Sequence, residues 1–296
     1  MNTSPSPLLE TVAGPAPGPT LTITILMHGD EACGLAARDL VLDPALRLKR
    51  GRINIVTLNP EARDADGGPR RFLDYDLNRL WGDEPLPDSY EGRRIAEALP
   101  LLASSDAILD IHSLPGDTGT FSLVSTERPA ALAMAQSLTA TIPRIVIAAA
   151  PANRGRALFQ TTRLPASVPI VVIECGQHDA PESREIARAA TLAFLQDYDM
   201  LEEGGEAAPR PESRCYRIDS EHKATHGPVR FIGRIGQFEP LPPGQPFAMD
   251  GDWPLFALAG QSLLLRRDAR KPGDEAFALV RELSTNEINE IFSLRL

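Results

Sequence analysis

An apolar, β-branched run, LTITILM (21–27), stops abruptly at His28, Gly29, Asp30 and Glu31, so a buried strand delivers a histidine and two acids to its carboxyl end. His28 and Glu31 are three residues apart at a strand-to-helix junction, with Glu31 expected in the first helical turn. There they can converge on one point and hold two positions of a zinc ion. Alone, the pair equally describes a histidine hydrogen-bonded near a helix start. A third ligand comes from DAILDIHSLPG, which ends another strand candidate in His112. Two strand ends of one α/β sheet can face the same crevice. Two His and one Glu leave a fourth zinc position open for water, the pattern of catalytic sites. Asp110 shares a strand face with His112 and can hold an imidazole or a neighbouring loop, or serve as a capping acid.

Hydrolysis also needs a base. Glu174 closes VPIVVI, an apolar strand candidate, and an unpaired carboxylate there is costly unless it has a task or faces solvent. Near a metal it could take a proton from water and pass it to a leaving amine. The segment NPEARDADGGPRRFLDYDLNRLWG packs Asn59, Arg71, Asn78 and Arg79 among turn formers. Arginine forks bind carboxylates, and a cation near a scissile carbonyl stabilises an oxyanion. Arginines paired with nearby surface acids would read the same way.

The elements that must position these groups alternate. Strand candidates LTITILM, GRINIVTLN, DAILDIHS and VPIVVIECG are interleaved with the helical spacing of DEACGLAARDLVLD, SYEGRRIAEALPLLASS, RPAALAMAQSLTA and PESREIARAATLAFLQDYD. This predicts an α/β layer fold with its functional groups beyond the strand ends. Residues 1–20 read as a flexible, Pro-rich leader and 21–200 as the catalytic domain. The polar stretch 201–212 reads as a linker, and 213–296, where helical repeats stop, as a small β-rich domain.

Composition narrows the function classes. Of 296 residues, 43% are hydrophobic and 24% charged, as in ordinary soluble globular proteins, and no run is long enough to span a membrane. The net charge of -10 disfavours nucleic acid as a partner. Residues 1–205 carry 18 basic against 27 acidic side chains, so the cluster Arg70, Arg71, Arg79 stands out as local recognition of a small anion. Cys33, Cys175 and Cys215 are an odd, widely spaced set without a C-x-x-C pair, which fits a reducing cytoplasm.

Taken in order, HGDE, RFLDYDLNR, DIHS and IECG resemble the succinylglutamate desuccinylase/aspartoacylase family of zinc amidohydrolases, relatives of the zinc carboxypeptidases. The resemblance covers about residues 20 to 200. It implies a three-layer α/β/α fold with a mixed central sheet, plus a small β-rich C-terminal domain. It also implies one zinc ion per chain held by His28, Glu31 and His112, with Glu174 as general base. Arg71 matches the arginine that polarises the scissile carbonyl, and Asn78 and Arg79 match the substrate-carboxylate clamp. Arg163, in FQTTRLPASVP, resembles a further substrate-contacting arginine, although its spacing to Glu174 is one residue longer than in aspartoacylase. A substrate-contacting tyrosine of the C-terminal domain has no counterpart here, Tyr216 standing in a different context. His178, in ECGQH, reads as a loop residue.

The activity implied is hydrolysis of the amide of a small anionic N-acyl amino acid. A metallocarboxypeptidase acting on peptides, or a binding protein of the same fold, are the alternatives. Retention of a base beside three ligands argues against pure binding. The sequence leaves the acyl group, the amino acid and assembly into a homo-oligomer open.

Overall fold

The structure, a computed structural model, describes residues 8–116, 119–148, 157–202 and 212–293. The strands are β1 (Leu9–Ala13), β2 (Thr20–Ile25), β3 (Arg52–Thr57), β4 (Ala107–Leu114), β5 (Phe121–Ser125), β6 (Arg144–Ala148) and β7 (Ile170–Gln177). They continue as β8 (Arg214–Lys223), β9 (Val229–Phe231), β10 (Pro246–Asp250), β11 (Trp253–Phe256), β12 (Gln261–Leu264) and β13 (Glu275–Glu282). The helices are α1 (Gly34–Leu42), α2 (Pro60–Arg63), α3 (Tyr90–Ala103), α4 (Ala130–Ser137), α5 (Pro181–Asp197) and α6 (Thr285–Ser293).

Ten strands form one mixed sheet in the order β1-β3-β2-β4-β7-β5-β6-β8-β13-β12. β2, β3, β4 and β7 run parallel, whereas β5 pairs antiparallel with β7. The parallel centre is buried on both faces and largely apolar, as such strands are when helices cover each side, with Thr22, Thr24 and Asp110 among the buried polar exceptions. β4 and the first seven residues of β7 are buried throughout. On one face Ala37 and Val41 of α1, Met134 of α4 and Phe194 of α5 pack with Ile23, Leu109 and Ile173. On the other, Ile95, Ala98 and Leu102 of α3 pack with Val56, Ile108 and Val172. Each large aliphatic buried this way contributes about 1.5–3 kcal/mol. The arrangement is the three-layer α/β/α fold expected, with a β-rich C-terminal part.

The central sheet crosses two of the predicted boundaries. Within the predicted leader, LETVA forms β1 and pairs antiparallel with β3, so the sheet begins before residue 21. Proline-rich neighbours hide this strand, whose exposure alternates as an edge strand's does. Residues 1–7 of the leader and 203–211 of the predicted linker lie outside the described residues. Beyond the linker the chain does not start a separate sheet. β8 joins β6 in parallel, from Arg144↔Arg214 to Ile147↔Arg217, and carries β13 and β12 as further strands. Tyr216, Leu264 and Val280 share a core with the central strands, so the C-terminal part is fused to the catalytic layer. Among the described residues, β9, β10 and β11 form a second, three-stranded sheet.

Candidate active site

β2 delivers His28. The chain leaves the strand through Leu26, which takes a left-handed φ of 52°, and turns so that the Glu31 amide donates to the His28 carbonyl at 3.2 Å. Glu31 lies in this turn ahead of α1, not in the helix itself. Gly29 is required by close approach. A Cβ there would stand 2.4 Å from the backbone at Ala62 and Arg63 and 2.6 Å from the Arg70 carbonyl, and its amide donates to Arg71 at 3.1 Å. The first motif is thereby joined to the arginine loop.

His28, Glu31 and His112 come together, buried, with candidate ligand atoms all within 4.8 Å of one another. His28 presents Nδ1 to Oε1 of Glu31 at 2.7 Å, and His112 presents Nδ1 to Oε2 at 2.8 Å. Both outer nitrogens meet a carboxylate: His28 Nε2 is 3.0 Å from Asp76, and His112 Nε2 is 2.9 Å from Asp110. Carboxylates on the far nitrogens fix ring orientation and leave the inner nitrogens for a metal, the usual support of a histidine ligand. Asp110 is fully buried and also accepts from Thr24 at 2.6 Å. Burial would raise the Glu31 carboxyl, but His28 and His112 outweigh it and hold it far below the usual range. Burial likewise opposes a charge on His112, and Asp110 and Glu31 override it, raising its pKa. Two buried imidazoles and an ionised carboxylate aimed at one point form a donor set that fits zinc.

Asp76 is a hub. Besides His28 it accepts from Nε and Nη2 of Arg71 at 3.2 and 3.1 Å and from the Asn78 amide at 3.0 Å. Burial would raise its carboxyl, but His28 and Arg71 hold it far below its ordinary value. Arg71 also lies 3.7 Å from Glu31. The loop carrying these groups is held by Glu91 of α3, fully buried, which accepts from the amides of Leu73, Asp74 and Tyr75 at 2.8, 3.2 and 3.2 Å.

Glu174 is the register partner of His112 across β4 and β7. Its Oε2 is buried without a hydrogen-bond partner among the described residues. Burial lifts the carboxyl to about 8, with His112 opposing and Glu31 adding to the rise. Two residues on, Gly176 takes a φ of 101°, the left-handed backbone that glycine tolerates, as the chain turns out of the site.

His28, Glu31, Arg71, Asn78, Arg79, His112 and Glu174 all line one cavity of about 180 Å³. Asn78 accepts the Leu158 amide on Oδ1 at 3.1 Å, and among the described residues its Nδ2 has no partner. Arg79 reaches both oxygens of Glu275 at 3.2 Å, and Arg267 holds the same carboxylate at 2.5 Å.

Residues 17–196 match the model of the succinylglutamate desuccinylase/aspartoacylase catalytic domain. The chain belongs to this family. No curated protein matches it. Among solved structures, the succinylglutamate desuccinylase from Vibrio parahaemolyticus superposes with a TM-score of 0.73 at 19% identity, covering 93% of this chain and 86% of that one. The product-bound ectoine utilization protein EutE (DoeB) from Ruegeria pomeroyi gives 0.71 at 20%, covering 92% and 88%. The succinylglutamatedesuccinylase/aspartoacylase from Rhodobacter sphaeroides gives 0.71 at 19%, covering 93% and 89%. At these identities the likeness is one of fold.

Three residues singled out in this desuccinylase/aspartoacylase family member stand apart from the cavity. Arg163 does not line it, and its guanidinium donates to the Glu84 carbonyl. The chain around Thr161 turns this side chain toward Glu84. His178 sits in the turn after β7, bonded to Ser113 at 2.8 Å and 3.9 Å from Asp30. Tyr216 is buried against Phe238, outside the cavity lining.

Sequence reading missed the wall supplied by the C-terminal strands: Glu221, His222 and Lys223 of β8, Arg267, and Glu275 and Phe277 of β13. Only the Arg-Arg pair at 266–267 after an apolar run offered a hint. Asp76 could have been found as the acid two residues before Asn78, the spacing at which it caps the 3-10 turn Leu77–Arg79.

Proposed function

We propose that this protein is a zinc-dependent amidohydrolase that cleaves the amide of a small anionic N-acyl amino acid. The observation that carries it is the pair of imidazoles presenting Nδ1 to Glu31 while Asp76 and Asp110 hold their outer nitrogens. Family membership supports the same reaction class.

His28, Glu31 and His112 would hold one zinc ion, which supplies Lewis acidity toward the amide carbonyl and lowers the pKa of a coordinated water. Glu174 takes a proton from the attacking water and returns it to the leaving amine nitrogen. Its buried position favours the neutral acid once that proton has arrived. Arg71, fixed in direction by Asp76, places its positive charge where the carbonyl oxygen becomes negative. Asn78, through Nδ2, and Arg79 hold the substrate carboxylate. A cavity of about 180 Å³, walled on one side by β8 and β13, suits a small acylated amino acid and disfavours the peptidase reading. No described helix is long and apolar enough to cross a membrane. Three free, buried cysteines support a cytoplasmic setting.

Metal analysis followed by a deacylation screen of N-acetyl, N-succinyl and N-formyl amino acids tests the proposal. Stoichiometric zinc and release of free amine are expected. Zinc-loaded protein that cleaves C-terminal residues from peptides, and none of these amides, would replace this reading with the carboxypeptidase one.

A further inference from the structure

His222 is the most elaborately supported side chain of the cavity's C-terminal wall. Its ring stacks on Phe277, its register partner across β8 and β13, with centroids 4.9 Å apart and planes 18° from parallel. Its Nε2 lies 3.1 Å from Oδ2 of Asp250, at the end of β10. Asp250 is 1% exposed. Its carboxylate also accepts the backbone amides of Thr225, His226 and Gly227 at 2.9, 2.9 and 3.1 Å. Burial favours the neutral acid, but these amides and His222 outweigh it and lower the pKa, so the group is an anion near neutral pH.

The stack on Phe277 alone would bury the ring. A buried anion with three backbone donors does more, because it fixes which nitrogen carries the proton. An ionised carboxylate at Nε2 favours the tautomer that carries its proton there, which leaves Nδ1 as the acceptor of that tautomer. Among the described residues Nδ1 has no hydrogen-bond partner, and the side chain retains 26% exposure while lining the catalytic cavity. The other carboxylate on this wall contributed by β13, Glu275, is already engaged by Arg79 and Arg267.

We propose that His222, oriented by Asp250, is a specificity residue that accepts a hydrogen bond from an N–H or O–H donor on the substrate's amino-acid side chain. Asp250 is its positioning residue. The proposal rests on the N-acyl amino acid reading, and it extends substrate recognition to a strand outside the family-matched segment.

N-acetyl-L-glutamine and N-acetyl-L-glutamate have nearly the same shape and differ in that donor. Their affinities are measured by calorimetry on zinc-loaded protein in a Glu174→Gln background, so that neither is turned over. Adding His222→Ala is expected to weaken the glutamine ligand about tenfold and leave the glutamate ligand nearly unchanged. His222→Asn, whose amide oxygen can take the place of Nδ1, should recover most of the loss, and His222→Gln, which reaches toward Asp250, should not. Asp250→Asn reverses the ring's proton and should shift preference toward the glutamate ligand, whereas a merely structural Asp250 would affect both ligands alike. Equal effects of His222→Ala on the two ligands, or no binding of N-acetyl-L-glutamine to protein retaining His222, overturns the proposal. Turnover by the wild type, lost in Glu174→Gln alone, reads the hydrolase assignment separately.

Discussion

His112 and Glu174 are register partners across the parallel pairing of β4 and β7, so the sheet itself sets a candidate metal ligand beside the candidate base. Neither depends on a flexible loop for its position. Glu174→Gln keeps the shape and removes the proton acceptor. Zinc content and KM should stay near wild type while kcat falls roughly 100-fold or more. Elemental analysis with steady-state kinetics checks this, and near-wild-type turnover would remove Glu174 from the chemistry.

The metal assignment has two tiers. His112→Ala removes a donor and should abolish stoichiometric zinc with the fold intact by circular dichroism. Asp110→Asn leaves the donors but loosens the His112 ring, and zinc affinity should fall about 10- to 100-fold. Competition with a chelator of known affinity measures both. Equal retention of zinc by both variants would place the metal elsewhere.

A pH effect follows from the buried base in metal-free protein. Burial lifts the Glu174 carboxyl from 4.5 to about 8, so between those values the folded state keeps a proton that the unfolded chain has released. Stability must then fall as pH rises through that window. Glu174→Gln lacks the titration. The stability of wild type relative to this variant should decline by roughly 2–5 kcal/mol from about pH 5 to about pH 8, measured by urea denaturation of chelator-treated protein. A difference independent of pH would show that the carboxyl is not buried in this way.

Glu91 offers a test of how the arginine loop is held. Its carboxylate receives three consecutive backbone amides from the loop that also carries Arg71 to Arg79. Glu91→Ala strands those donors and should lower stability by roughly 2–4 kcal/mol. Because Asp76 and Asn78 follow directly, kcat/KM should also fall at temperatures where the variant remains folded. A variant that loses stability yet keeps full activity would show that the loop is positioned by other contacts.

What was legible in the sequence is what local pattern encodes. The apolar runs at β2, β3, β4 and β7, and the polar groups that end them, mark buried parallel strands and their catalytic edge before any coordinates are known. β1 was hidden because a five-residue edge strand beside prolines carries little apolar pattern. Glu221, His222 and Lys223 were unreadable because β8 is a long, polar strand whose place at the cavity depends on its parallel pairing with β6, a contact between segments 70 residues apart in sequence. Arg163 shows the complementary limit. Spacing to Glu174 was visible, but the turn that sends its side chain to Glu84 was not.

Arg71 and Arg79 lie eight residues apart and should fail differently when removed. Arg71 is clamped by Asp76 and stands 3.7 Å from Glu31, beside the candidate metal site, where in the proposed reaction charge would develop only as the carbonyl is attacked. Arg79 instead meets Glu275, the carboxylate it shares with Arg267, at the wall formed by β13. An interaction made only in the transition state lowers kcat and kcat/KM together when lost, whereas one made equally in the ground state raises KM. Arg71→Ala is therefore expected to act through kcat, and Arg79→Ala mainly through KM, by roughly 2–5 kcal/mol if the substrate pair is desolvated. Replacing the substrate α-carboxylate by an amide should penalise the wild type heavily and Arg79→Ala very little, since the partner charge is already gone. If the wild type handles acid and amide alike, Arg79 holds only Glu275, and recognition of the N-acyl amino acid must come from other groups of the cavity.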